Sequence, residues 1–347
     1  NDTWIENEPL AIEDYTHGVT YFLKSAKKYG SITETAWIDM VGIRVVAPGT
    51  YFQSHQLLDT DFMRELDAGA DLAPLHIPVV LEEIKAVQAY MPEVAIVAAS
   101  DSAFHSTKPR EACKYSISPD LAKENNLYRY GYHGLSVSST VRRLHAITGK
   151  NPARVVVCHI GSGVSVSALR DGVSLDNSMG YAPGSGLPMA SRAGDLDVGA
   201  WLQLKRGGEF TTEEAYQYMQ TKGGLAGLTG EGDFRYVLEQ HAKGEQYATD
   251  ALQLFAYKVK QYIGAYIASL GGVDAIVCTG TAAERSPVLR SMFLSGLEEL
   301  GITLDADRNS QYAGKDGVIS ETGAPIKVVV MRTDEMGEIA RVTEQFT

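Results

Sequence analysis

The chain has 347 residues, 44% of them hydrophobic and 21% charged, with 31 basic and 43 acidic side chains giving a formal net charge of −12. That length exceeds one typical core, and the acidic balance argues against a nucleic-acid or anionic-membrane surface. No apolar run approaches the ~18 residues that span a bilayer, and three scattered cysteines suit buried thiols in a reducing cytoplasm rather than a disulfide framework or zinc site.

The first stretch, NDTWIENEPLAIED, starts on Asn1 rather than methionine and carries neither the basic nor the apolar part of a signal peptide. It reads as a chain that begins partway into something. Residues 14–30 have helical spacing and end on glycine; MVGIRVVAPG is a short strand closed by Pro-Gly. LHIPVVLEEIKAVQAY reads as a helix and VAIVAASD as a buried strand ending on an acid. A helix over 133–148 is stopped by Gly149-Lys150-Asn151-Pro152.

VVVCHIGSGVSVSALRDGVSLDNS follows, a strand that breaks into Gly161-Ser162-Gly163, resumes, and turns again at Asp171-Gly172. TTEEAYQYMQ, DALQLFAYKVKQYIGAYIASL and SPVLRSMFLSGLEEL read as helices, VDAIVCTG and IKVVVMR as strands. The pattern is α/β with a boundary near Asn151, giving domains 1–150 and 151–347.

In such folds ligands bind beyond the carboxyl ends of the strands. Polar groups stand there after MVGI (Arg44), VAIVAAS (Asp101), VVVC (His159 and the glycines) and VDAIVC (Thr279-Gly280). Singly, each has a plain alternative: a salt-bridged arginine, a helix-capping aspartate, a bulge.

The wording of the sequence adds a resemblance. VGIRVV, LAPLHIP, SDSAFHSTKP, YRYGYHGLS, VCHIGSGVSVSALRDGVSLDNSMGYAP, SRAGDLD and FAYKVKQYIGAYIASLGGVDAIV follow the order and spacing of the acetate kinase (acetokinase) family from about residue 10 onward. The resemblance implies two actin/hexokinase-like (ribonuclease H-like) domains with a central cleft, the last helix packing back on the first domain. It also implies a cytoplasmic homodimer that moves the γ-phosphoryl of ATP reversibly to a short carboxylate, making acetyl phosphate, with Mg2+ or Mn2+.

It assigns roles position by position. Asp101, His133 and Arg192 match the catalytic aspartate, histidine and transition-state arginine. Arg44 matches the carboxylate-holding arginine, with Val46, Leu75, Tyr132 and Pro183 around the acyl group. His159-Ile160-Gly161-Ser162-Gly163 matches the phosphate loop, whose glycine N–H groups can face phosphate oxygens with no Cβ in the way. Asp233-Phe234-Arg235 and Thr281-Ala282-Ala283-Glu284-Arg285 match the nucleotide segments, and Glu335 the metal ligand.

The chain also departs from the pattern. The N-terminal Asn-Cys-Gly-Ser-Ser-Ser hairpin has no match here, so the first strand, hairpin and one magnesium ligand are expected to be missing. Ile77, Val137, Ser162 and Ser185 replace family residues, and the adenosine loop Gly-Ile-Gly-Glu-Asn has lost both glycines at Thr281–Arg285. The expectation is that Ala282 and Ala283 crowd the adenine space. Three readings stand open: an ATP-dependent acetate kinase; a carboxylate phosphotransferase using pyrophosphate or another nucleotide; and a non-catalytic relative.

Overall fold

The computed structural model describes residues 15–31, 38–208 and 210–347. The chain divides into two compact units, one from the described residues up to Ala47 with His55–Ser100 and Ile339–Thr347, the other from Pro48–Ser54 and Asp101–Glu338.

The first unit holds a three-stranded sheet of β1 (Met40–Val45), β2 (Gln56–Leu57) and β3 (Ala95–Ser100), in the order β1-β3-β2. β1 runs parallel to β3 with Arg44 beside Ala99, and β2 is antiparallel. Helix Ile77–Tyr90 starts with Pro78 in its first turn, where a missing N–H costs nothing, and buries Ile77, Val80, Ile84 and Val87. The end of the final helix lies on β1 at Gly42. A methyl group there would stand 2.6 Å from Ile339 Cγ2 and closer still to the Thr343 hydroxyl. Helix Thr60–Ala68, capped by Asp59, is an element that the sequence reading did not separate.

The second unit is built on six strands: β4 (Arg154–Ile160), β5 (Val164–Arg170), β6 (Val173–Asn177), β7 (Ala275–Thr279), β8 (Gly317–Val318) and β9 (Lys327–Val330), ordered β6-β5-β4-β7-β9-β8. β4, β5 and β6 form an antiparallel meander, and β4, β7 and β9 run parallel. Asp171 and Gly172 both take positive φ, 51° and 82°, the two-residue turn whose twist matches a right-handed hairpin. Arg154 and Asp274, 2.7 Å apart, pin the starts of β4 and β7.

One face of this sheet is covered by helix Gly134–Thr148, whose Val137 and Leu144 join Val155, Val157, Leu169, Val277 and Val329 in one core. That packing explains why the division falls after Ser100, whereas the sequence places a boundary near Asn151. The helix Gln246–Leu270 buries Phe255, Val259 and Ile263. The run SPVLRSMFLSGLEEL is not one helix: Pro287–Leu294 ends at Ser295, whose backbone is extended at ψ 145°, and Gly296 follows at φ 76°. Cys158 and Cys278 are in-register neighbours on β4 and β7, both fully buried. Burial pushes both thiols up, that of Cys278 to about 12.

β7 leaves the sheet through Gly280 at φ 82°, and a methyl group there would stand 2.8 Å from the backbone of Ile160. Gly280→Ala is therefore expected to destabilise the second unit by at least about 2 kcal/mol, from left-handed strain and overlap together. Urea unfolding followed by circular dichroism measures this; a loss under about 0.5 kcal/mol would mean that the turn relaxes freely.

Candidate active site

The β4–β5 turn closes with Gly161 N–H donating to Gly163 C=O at 2.9 Å. At Gly163 the demand for glycine comes from neighbours rather than from backbone torsion. A methyl group there would stand 2.7 Å from His133 Nε2 and 2.9 Å from Arg192 Nη2. An imidazole and a guanidinium thus converge on one backbone position of the turn.

His133 is held from several sides. Its backbone is left-handed, at φ 62° and ψ 24°, at the start of helix Gly134–Thr148. Its N–H donates to Asp101 Oδ2 at 2.9 Å, and the Gly134 N–H donates to the Asp101 carbonyl at 2.9 Å. Asp101 is fully buried at the end of β3, so its carboxylate stabilises a conformation that a non-glycine residue seldom adopts. The His133 ring meets Ser165 Oγ through Nδ1 at 2.9 Å and stacks on His159 with centroids 4.2 Å apart. His159 Nδ1 in turn meets Ser136 Oγ at 2.8 Å.

Beneath this pair lies His105, which the sequence reading passed over although it stands in SDSAFHSTKP. Its Nε2 reaches the Tyr132 carbonyl at 2.9 Å, so that nitrogen carries the proton and Nδ1 accepts from Ser174 Oγ at 2.7 Å. Full burial, with Lys108 nearby, pushes the imidazole down to about 3. Asn177 completes the support, donating to the Tyr132 carbonyl at 3.2 Å and to Ser167 Oγ at 2.8 Å. The Tyr132 hydroxyl donates to the Tyr181 carbonyl.

Arg192 is almost fully buried and donates from Nη1 to the Pro183 carbonyl at 2.8 Å. Its loop is tied to the β4–β5 turn by Ala190 N–H donating to Ser162 C=O at 3.2 Å.

Beside the turn opens a cavity of about 710 Å³. Of the expected nucleotide residues, Gly161, Ser162, Asp233, Phe234, Arg235, Thr281, Ala282 and Arg285 line it. Asp233 caps helix Phe234–Ala242 and pairs with Arg235, while Phe234 packs edge-on against Phe255 at 5.1 Å. Ile160 and Ala283 are fully buried and do not line the cavity.

Thr281–Arg285 is a short helix rather than an open loop. Turning helical carries Ala283 inward, so only Ala282 of the two alanines lines the cavity, against the expectation that both crowd it. Glu284 is buried too. Its Oε1 accepts the N–H groups of Gly280 at 2.9 Å and Thr333 at 2.8 Å, with burial raising the carboxyl above its ordinary range.

Glu335 opens the final helix, Glu335–Glu344. The segment before it is strapped to helix Gly134–Thr148: Thr333 Oγ1 donates to Ser136 Oγ at 2.9 Å and Asp334 N–H to Ser139 Oγ at 3.2 Å. Buried Glu338 accepts from Ser138 Oγ at 2.6 Å and from Arg142. Arg44, Val46 and Leu75 belong to the first unit: Arg44 on β1, Val46 buried just after it, and Leu75 at 41% exposure ahead of Ile77–Tyr90. Among the described residues no three His, Cys, Asp or Glu side chains form a metal-sized cluster.

Comparison with known proteins follows the same lines. Residues 3–341 match the Acetokinase family model. An acetate kinase of Clavibacter michiganensis is 38% identical over 342 residues, which cover 98% of this chain and 86% of the relative. One from Caldanaerobacter subterraneus is 40% identical over 92% of this chain and 80% of its own. Among solved structures, a propionate kinase from Francisella tularensis superposes with a TM-score of 0.87 at 31% identity, covering 95% of this chain and 84% of its own. The Porphyromonas gingivalis acetate kinase gives 0.85 at 32%, with the same coverage of both chains.

The His105 geometry fixes a pH response. Its native pKa lies below the unfolded value of 6.5, so its contribution is complete above pH 6.5 and is lost as pH falls through 6.5 toward about 3. At pH 5 the loss amounts to about 2 kcal/mol. Urea unfolding at pH 7 and pH 5 should show wild type losing about that much more than His105→Gln, which keeps a donor and an acceptor without titrating. Equal losses in both proteins would refute a neutral buried His105.

Proposed function

The chain belongs to the acetokinase family, and from that premise we propose that Asp101, His133 and Arg192 carry its transfer of the γ-phosphoryl group of ATP to acetate. Family membership makes it a phosphotransferase with a carboxyl acceptor, on the actin/hexokinase-like α/β plan of its relatives. An acetate oxygen attacks the γ-phosphorus, the bond to the β,γ-bridging oxygen breaks, and acetyl phosphate and ADP result. The nucleophile is already a carboxylate, so no general base is needed.

The difficulty is charge, because an anion must approach an anion. Catalysis then consists of alignment and neutralisation on the transferring oxygens. The observation that carries our reading is the convergence of His133 Nε2 and Arg192 Nη2 on Gly163. Donors placed there would meet a phosphoryl group lying along the glycine backbone. Asp101 acts on the His133 backbone, holding the ring in place. Arg44, on the first unit, would receive the acyl carboxylate through its planar fork, with Val46 and Leu75 of that unit toward a methyl or ethyl group.

The cavity bounded by Gly161, Ser162, Asp233, Arg235, Thr281 and Ala282 supports ATP as the donor, being large enough for a nucleoside beyond the phosphate turn. A divalent cation, Mg2+ or Mn2+, held by Glu335 together with donor phosphates would neutralise part of their charge. We also propose a homodimer working in the cytoplasm, where its nucleotide is found.

The test is acetyl phosphate formation from acetate, ATP and Mg2+, trapped with hydroxylamine; no product from the complete protein would overturn the reading. Arg192→Ala should lower kcat by on the order of 10²–10³ with ATP affinity little changed, since its charge matters most during transfer. A fall of less than tenfold would remove Arg192 from this role. Gly163→Ala should keep the fold and lose a comparable factor, because its methyl group displaces both donors; normal turnover would show that their convergence is dispensable.

A further inference from the structure

The cavity wall formed by Thr281–Pro287 cannot hold its own shape. Its helix is five residues long and has no side-chain N-cap, far short of the length at which a helix persists alone. The carbonyls of its last turn need partners from elsewhere.

They find them in Gly314, whose N–H donates to the Glu284 carbonyl at 2.7 Å, and in Arg290, one of the largest fully buried side chains among the described residues. Nη1 donates to the carbonyls of Ala283, at 2.5 Å, and Glu284, at 3.0 Å. Nε donates to Asn309 Oδ1 at 2.7 Å and Nη2 to the Asn309 carbonyl at 2.5 Å. Asn309 is itself fixed, donating from Nδ2 to the Pro287 carbonyl at 2.9 Å and to Ser291 Oγ at 3.0 Å.

Among the described residues the acceptors around this guanidinium are all neutral oxygens. A buried cation without a carboxylate is a costly arrangement, and core packing alone would be served as well by methionine or leucine. What the charge supplies is a grip on the negative end of a short helix. The geometry of the wall shows where that grip acts. Thr281, Ala282, Arg285, Ser286 and Pro287 line the cavity; Ala283 and Glu284, whose carbonyls Arg290 holds, do not. The clasp works from behind the wall.

We propose that Arg290, locked by Asn309, is a positioning residue for the nucleoside part of the donor: it sets the shape of the Thr281–Pro287 wall without touching the ligand. The inference rests on the nucleotide reading of the cavity. It also separates two parts of one ligand, because the phosphate turn at Gly161–Gly163 is built by β4 and β5 and lies outside the clasp.

Calorimetric titration of the complete protein with ATP and, separately, with tripolyphosphate tests it. Arg290→Met should weaken ATP binding at least tenfold and leave tripolyphosphate binding within about twofold; Arg290→Lys should fall between. Kinetically, the KM for ATP should rise while kcat and the KM for acetate stay within about threefold. A purely structural role predicts a lower melting temperature with both affinities unchanged, and that result overturns the proposal, as does equal weakening of both ligands. Should Arg290→Met not fold, Asn309→Ala removes the acceptor for Nε and the ties to Pro287 and Ser291. It should weaken ATP at least threefold, and an unchanged ATP affinity there overturns the proposal too. Because binding is read without turnover, wild type that binds ATP but makes no acetyl phosphate would sink the proposed reaction alone. Wild type that binds no ATP would sink this inference with it.

Discussion

A hydrogen atom where any other residue has a carbon is the constraint on which the second unit's site depends. Gly163 brings an imidazole and a guanidinium within a methyl group's radius of the same backbone. To hold them there, three pieces of chain far apart in sequence must agree. The β4–β5 hairpin supplies the glycine, the β3 end and Asp101 set His133, and the loop through Pro183 and Ala190 sets Arg192. Small shifts in any one would reach the others, because protein interiors transmit displacement instead of absorbing it.

Much of this was legible in the sequence, for definite physical reasons. Strands β4, β7 and β9 are buried on both faces and read as continuous apolar runs. Asp171-Gly172 announces its own turn, since only such pairs accept two positive φ values cheaply. In the second unit eight of the motif residues line one cavity, and His133 and Arg192 meet at one glycine. What could not be read depends on distant partners. Helix Thr281–Arg285 forms from a segment read as a loop because Arg290 and Gly314 satisfy its last carbonyls. Glu284 looks like a ligand-facing acid in the sequence, yet it turns inward to two backbone N–H groups. His105 gives no local signal at all, since its importance arises from the carbonyl of Tyr132, 27 positions on.

The molecule manages charge in two contrasting ways. Its surface is strongly acidic on balance, at −12, although its substrates are anions. Long-range attraction therefore contributes little to capture, and recognition falls to short contacts where water is excluded. Within the second unit three buried bases instead donate to or rest among neutral oxygens. Lys108 donates to the Arg129 carbonyl and is pushed down to about 8 by burial, His105 stays uncharged, and Arg290 faces carbonyls. Carbonyl dipoles orient such groups without cancelling them, and fix geometry where an ion pair would tolerate several arrangements.

The paired thiols at the centre of the sheet have a practical meaning. Cys158 and Cys278 stand side by side on the two central parallel strands, sealed from solvent, while Cys113 lies half-buried near the surface. A thiol reacts as its thiolate, so a labelling reagent cannot modify the inner two until β4 and β7 part. The protein thus carries a built-in clock. One sulfur reports the native surface, and the lag before the other two are labelled times the opening of the sheet that bears the Gly161–Gly163 turn.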